Sequence, residues 1–84
     1  MIKDLEGTWK MNIKQRKNIN GEFNIEQGNG YIGVFDPDKE EPLCECKVNK
    51  LEYIKNEDDF SKVKYILIFP GKYIKTKVEL LKKT

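Results

Sequence analysis

The sequence predicts an all-β protein, a small antiparallel meander of about six strands that is closed or nearly closed into a barrel. Apolar side chains recur at every second position in several segments, as in Trp9, Met11 and Ile13. A period of two places alternate residues on one face of a strand. Glycine- and asparagine-bearing breaks separate these segments. A sheet of this kind tends to curl and close, since closure removes its exposed edges.

Three strands are predicted in the first half of the chain, at residues 8–14, 22–27 and 31–35. Asn20-Gly21, between the first two, is the strongest hairpin signal in the chain. Gly28-Asn29-Gly30 makes the next tight turn, because glycine accepts a positive φ without penalty. Gly33 lies inside the third strand, where a glycine predicts a bulge or a sharp bend.

Three further strands are predicted in the second half, at residues 43–55, 62–69 and 72–82. The first of these is long, and its apolar phase slips. Cys44, Cys46 and Val48 are in register, whereas Leu51 and Tyr53 are out of it. We therefore predict one bent strand with a β-bulge near Asn49.

The 84 residues allow one domain, residues 1–84, with a modest core. Two cysteines indicate a reducing compartment, because a secreted protein of this size would usually carry more. The N-terminal Met1-Ile2-Lys3-Asp4 opens no apolar stretch, so no signal peptide is predicted. The longest uncharged apolar run, Tyr65 to Pro70, is too short to span a bilayer. We expect a cytoplasmic protein with no membrane partner.

No constellation of catalytic residues is recognisable. The chain has no histidine, which excludes a Cys–His pair and the ordinary acid–base shuttle at neutral pH. The paired carboxylates Glu40/Glu41 and Asp58/Asp59 stand in charged turns, whereas glycosidase-type chemistry needs two carboxyls that face each other across a cleft. We therefore expect no enzymatic activity and no cofactor.

Two segments invite a metal interpretation. Cys44-x-Cys46 offers two thiolates, half of a tetrahedral zinc site, with the other half left to carboxylates or to a second chain. Its spacing is shorter than usual, and a pair of small buried hydrophobes is the better interpretation. The acidic loop from Asp36 to Pro42, which is bounded by prolines, superficially suggests a calcium site. Lys39 and the missing glycine argue instead for a plain acidic loop.

Charge is unevenly distributed, although the net charge is only +2. Residues 1–60 carry 9 Lys or Arg against 13 Asp or Glu, a net −4, and residues 61–84 carry 7 Lys against one Glu, a net +6. If the sheet closes, the first and last strands are neighbours, and their outward residues form a basic binding patch. That predicted patch consists of Lys10, Lys14, Tyr73, Lys75 and Lys77. The predicted acidic binding loop consists of Asp36, Asp38, Glu40 and Glu41.

The segment Leu5-Glu6-Gly7-Thr8-Trp9 resembles the opening of the calycin barrels, the lipocalin, fatty-acid-binding and avidin group, where a Gly-x-Trp pair starts the first strand. Gly21-Glu22-Phe23 and Gly30-Tyr31 are similar to avidin-type hairpins. The resemblance implies a lipocalin-like architecture in miniature. It implies that Trp9 plugs one end of the barrel and that Gly7 lets neighbouring backbone approach. So small a barrel is filled by its own side chains.

Small size and missing catalytic groups predict a non-enzymatic protein-binding module. We expect an inhibitor or antagonist, such as a phage anti-defence protein (an anti-CRISPR, for example) or an immunity protein, that acts through charged surface patches. One alternative is a small-ligand or nucleotide-binding lipocalin-like barrel. Another is a single-stranded nucleic-acid-binding domain of OB or SH3-like shape, with Tyr73 as its stacking surface. A homodimer is a further alternative, because Ile32, Ile66 and Ile68 lie off the main apolar face.

Overall fold

A computed structural model describes residues 5–84. Within these residues the chain forms a single curled sheet of seven antiparallel strands in the order β4-β3-β2-β1-β7-β6-β5. The strands are β1 (Gly7–Lys14), β2 (Asn18–Gly28), β3 (Tyr31–Phe35), β4 (Pro42–Lys47), β5 (Glu52–Lys55), β6 (Tyr65–Phe69) and β7 (Thr76–Lys83). The sheet is a half-barrel whose edges lie 10 Å apart. The predicted all-β antiparallel meander, curled into a nearly closed barrel, is confirmed.

The barrel stays open between β4 and β5 because of the number of its strands. Each neighbouring pair around the sheet is antiparallel, so the two edge strands, six pairings apart, run in the same direction. A parallel pair needs a crossover connection of about a dozen or more residues. Only residues 48–51 separate β4 from β5. The two edges therefore remain unpaired, and we call this interruption the open seam.

The single bent strand predicted at residues 43–55 is wrong in one respect, because it consists of two strands. A 3₁₀ turn, Val48–Lys50, replaces the bulge predicted near Asn49. Leu51 N–H donates to the Val48 carbonyl at 3.2 Å, and Val48 N–H donates to the Gly30 carbonyl at 2.7 Å. The first bond closes the turn, and the second joins it to the β2–β3 hairpin. Because the turn divides the segment into two strands, the sheet has seven strands instead of six.

The core lies on the concave face, and the predicted alternation supplies most of it. Trp9 closes one end, where its Nε1–H donates to the Leu5 carbonyl at 2.8 Å and its ring meets Tyr65 edge-on at 6.1 Å. Ile32 is only 1% exposed and belongs to this core, which corrects its predicted position off the apolar face. The remaining buried apolar residues are Leu5, Met11, Ile13, Phe23, Ile25, Val34, Cys46, Leu67, Phe69, Val78 and Leu80.

Three connections lie at the other end of the half-barrel, which we call the mouth. They are residues 15–17, 36–41 and 70–75, which follow β1, β3 and β6. At the mouth the β3–β4 ladder shifts register, because Val34 faces Cys44 while Phe35 faces Pro42. Leu43 is the extra residue of this bulge.

Candidate functional site

The structure assembles only part of the predicted basic patch. Lys14 and Lys77 are direct partners across the β1–β7 ladder. Glu79 lies beside both, with its Oε1 3.1 Å from Lys14 Nζ and its Oε2 3.9 Å from Lys77 Nζ. Asn12 Nδ2 donates a further, long hydrogen bond of 3.5 Å to Glu79 Oε1. A carboxylate thus offsets part of the positive charge on this face.

The other three residues of the patch lie apart from this pair. Lys10 is nearer the opposite end of β1, and Tyr73 and Lys75 belong to the β6–β7 connection because β7 begins only at Thr76. Lys75 Nζ lies 3.4 Å from Glu52 Oε2. Tyr73 is 81% exposed, and an ammonium group of its neighbour Lys72 stands 5.3 Å from its ring centroid.

Glu79 contacts three polar side chains on the outer face, Lys14, Lys77 and Asn12. Burial raises its pKa, but the hydrogen bonds from Lys14 and Asn12 and the charges of Lys14 and Lys77 outweigh burial and hold the pKa of Glu79 below its ordinary value. The carboxylate is therefore ionised at neutral pH. A phosphate backbone meets less net positive charge here than the lysines alone suggest.

The acidic loop has one structural and three exposed carboxylates. Asp36 Oδ1 accepts from the N–H of Asp38 at 3.0 Å, and the Asp36 carbonyl accepts from the N–H of Lys39 at 3.0 Å. This arrangement is an Asx turn, so Asp36 shapes the loop. Asp38, Glu40 and Glu41 are exposed and form no ion pair with residues 5–84.

Cys44 and Cys46 both point inward from β4, opposite Val34 and Ile32. Burial, followed by the nearby Cys46, raises the pKa of Cys44 to about 12, and burial also raises the pKa of Cys46. Only the thiolate binds metal strongly. In the described part of the chain, no three histidine, cysteine or carboxylate side chains group closely enough to hold a metal ion.

Neighbouring apolar side chains are exposed along the open seam, which the sequence did not reveal. Every residue of β5 is exposed, and Tyr53 and Ile54 keep 46% and 61% of their surface in solvent. On the outer face, Ile54 is the direct partner of Ile66, and Ile68 lies beside it on β6. The only sequence signal for this seam is the phase slip between Val48 and Leu51.

A shallow cleft adjoins the seam where the Val48–Lys50 turn meets the β2–β3 hairpin. Its volume is about 590 Å³, and Tyr31 and Val48 supply apolar surface to it while Lys47 lies at its border. Lys47, Lys50 and Lys55 are exposed around the seam, and none of them forms an ion pair with any residue from 5 to 84. The seam thus combines aromatic and aliphatic surface with three exposed lysines that form no ion pair within residues 5–84, alongside the carboxylates Glu45 and Glu52 of its two edge strands.

Comparison with protein-family models, with curated proteins and with solved structures gave no match for this chain. Within residues 5–84, no helix is long and apolar enough to cross a bilayer. Proposals on function therefore rest on the geometry of the fold.

Proposed function

We propose that this protein is a non-enzymatic binding module that holds an extended segment of a partner protein against the free edge of β5. The observation that carries the proposal is the unpaired β5 edge with its exposed Tyr53 and Ile54. A free strand edge offers backbone N–H and C=O groups to a further strand, and this mode of recognition takes its specificity from pockets for alternate side chains.

The surroundings of β5 define the chemistry of that partner. An added strand would place alternate side chains beside Ile54, so the segment needs an apolar residue there to extend the isoleucine surface of β5 and β6. Lys47, Lys50 and Lys55 surround the edge without ion-pair partners among the described residues. Acidic residues that flank the apolar position would meet these lysines and speed association.

The proposed contact is the β5 edge and not the predicted basic patch, of which only Lys75 reaches β5, through Glu52. The ion pairs of Lys14, Lys77 and Lys75 lend no support to a nucleic-acid partner. A role as inhibitor or antagonist remains a prediction. Membership of the calycin group is likewise a proposal, for which the buried Trp9 after Gly7 is the supporting feature.

The test is selection from a phage-displayed library of unstructured peptides. We expect the enriched peptides to alternate apolar residues and to carry acidic flanks. Ile54→Lys should abolish their binding, because the new lysine would place a charge beside the apolar side chain of the peptide and would be repelled by the seam lysines. Since Ile54 is 61% exposed, the variant should fold normally, which circular dichroism checks.

Lys10→Glu serves as the matched control, because it changes an exposed outward residue of β1 far from the seam. Bound peptide should slow amide exchange in Glu52–Lys55 of the wild-type protein and of this control. Peptides that bind Ile54→Lys as tightly as wild type, or that protect the acidic loop and leave β5 unprotected, would overturn the proposal.

A further inference from the structure

The mouth of the half-barrel contains a second cleft, which includes no residue of β5. Its volume is about 430 Å³, within the range of small-molecule sites. Its floor is formed by Ile13, which is 4% exposed, and by Thr76, which is 6% exposed. Ile19 lies beside Ile13 as its partner on β2. Leu43, the extra residue of the β3–β4 bulge, supplies the opposite wall, since a bulge redirects a side chain.

The rim of this cleft is cationic. Arg16 and Lys17 border it from the β1–β2 connection, where Gln15 N–H donates to the Lys17 carbonyl at 3.2 Å. Both side chains are exposed, and neither forms an ion pair with residues 5–84. None of the carboxylates in the described part of the chain lines the cleft. Arg16, the one arginine of the chain, also borders a smaller adjoining cleft that contains Lys72.

We propose that the mouth cleft binds a small organic carboxylate with a compact apolar body. The apolar body would lie against Ile13, Ile19 and Leu43, and the carboxylate would meet the guanidinium of Arg16, whose planar fork matches a carboxylate with two parallel hydrogen bonds. Thr76, the one buried polar residue among residues 5–84, also lines this cleft. The floor favours a monoanion over a phosphate, because desolvation beside apolar walls costs more for the higher charge.

This site shares no residue with the free edge of β5 to which the partner segment is proposed to bind, so either proposal can fail alone. The probe is cyclohexanecarboxylate, and its matched neutral analogue is cyclohexylmethanol. Each is titrated into ¹⁵N-labelled protein and followed by two-dimensional NMR. We expect the carboxylate to shift the amide signals of Ile13, Arg16, Ile19 and Thr76, and to bind more tightly than the alcohol.

Arg16→Gln should weaken carboxylate binding about fivefold, the effect of losing one solvent-accessible ion pair, and should leave alcohol binding unchanged. Lys10→Gln, which removes an exposed charge elsewhere on β1, should change neither. Thermal unfolding checks that both variants are folded. Because Arg16 is exposed, Arg16→Gln should change ligand binding without changing the stability of the fold.

Three outcomes would overturn the proposal. The first is absence of shifts at millimolar carboxylate. The second is equal affinity for acid and alcohol that Arg16→Gln leaves unchanged, which would mean apolar binding only. The third is competition by inorganic phosphate at similar concentration, which would mean a simple anion site with no use for the apolar floor.

Discussion

Gly7 has a backbone conformation that other residues rarely adopt, and replacing it by alanine should destabilise the protein. Its φ is +137°. A non-glycine residue held in such a region costs of order 1–3 kcal/mol. Alanine also lowers the conformational entropy of the unfolded chain, which stabilises the folded protein by about 0.4–1 kcal/mol. We therefore expect Gly7→Ala to lower the free energy of unfolding by about 1–2 kcal/mol, a large part of the roughly 3–5 kcal/mol available to a chain this short.

A steric contact is the competing explanation for that loss. A Cβ at Gly7 would lie 2.7 Å from Cε of Lys83. That atom belongs to the far end of a flexible side chain and can move aside, so backbone strain should dominate. The Lys83 ammonium stands 6.0 Å from the Trp9 ring centroid, so Lys83→Ala has an effect of its own that must be measured separately.

The assay is urea unfolding of wild type, Gly7→Ala, Lys83→Ala and the double variant, followed by Trp9 fluorescence. If strain dominates, Gly7→Ala costs the same in both backgrounds within about 0.5 kcal/mol. If its cost disappears when Lys83 is alanine, the contact and not the φ angle is responsible. No cost in either background would refute the reasoning altogether.

Two further predictions concern titratable groups. Because folding lowers the pKa of Glu79, its carboxylate stabilises the folded protein above its unfolded pKa of 4.5. This stabilisation is lost as pH falls through the folded pKa. Urea unfolding should therefore show that Glu79→Gln is about 1 kcal/mol less stable than wild type at pH 7. At about pH 2 the two proteins should be equally stable. Equal stability at pH 7 would contradict the Lys14–Glu79 geometry. Burial raises the pKa of Cys44 from 9.0 to about 12. The free energy of unfolding therefore has its full value below pH 9 and falls as pH rises towards 12. At pH 8 native Cys44 should react with a thiol reagent about a thousandfold more slowly than in urea, and comparable rates would show an accessible thiolate.

The sequence was sufficient for the fold class because the alternating pattern is a local property. Trp9, Met11 and Ile13 each require only that a strand present one face to the core. It failed at residues 43–55, where a phase slip is equally compatible with a bulge and with a 3₁₀ turn. The hydrogen bond from Val48 N–H to the Gly30 carbonyl decides between them, and it joins residues 18 positions apart.

The candidate sites were less predictable because they depend on where strands end and on which residues they pair with. Tyr73 continues the period of two, yet β7 begins at Thr76, so alternation alone does not show that Tyr73 lies in the connection before the strand. The sequence pattern predicts Ile32 off the main apolar face, and only the curvature of the sheet shows that its face is the enclosed one. The mouth cleft depends on Leu43 being an extra residue, a feature of register that composition does not encode.

The order of the strands also defines where the chain can be cut and rejoined. From edge to edge the sheet runs β5, β6, β7, β1, β2, β3 and β4, a plain up-and-down series apart from its starting point. Thr84 N–H already donates to the Thr8 carbonyl at 2.8 Å, so the start of β1 and the segment after β7 lie together in the middle of this series. A circular permutant cut within Val48–Lys50 and joined by a linker from the C-terminus to the N-terminus would keep every ladder and begin and end at the sheet margins.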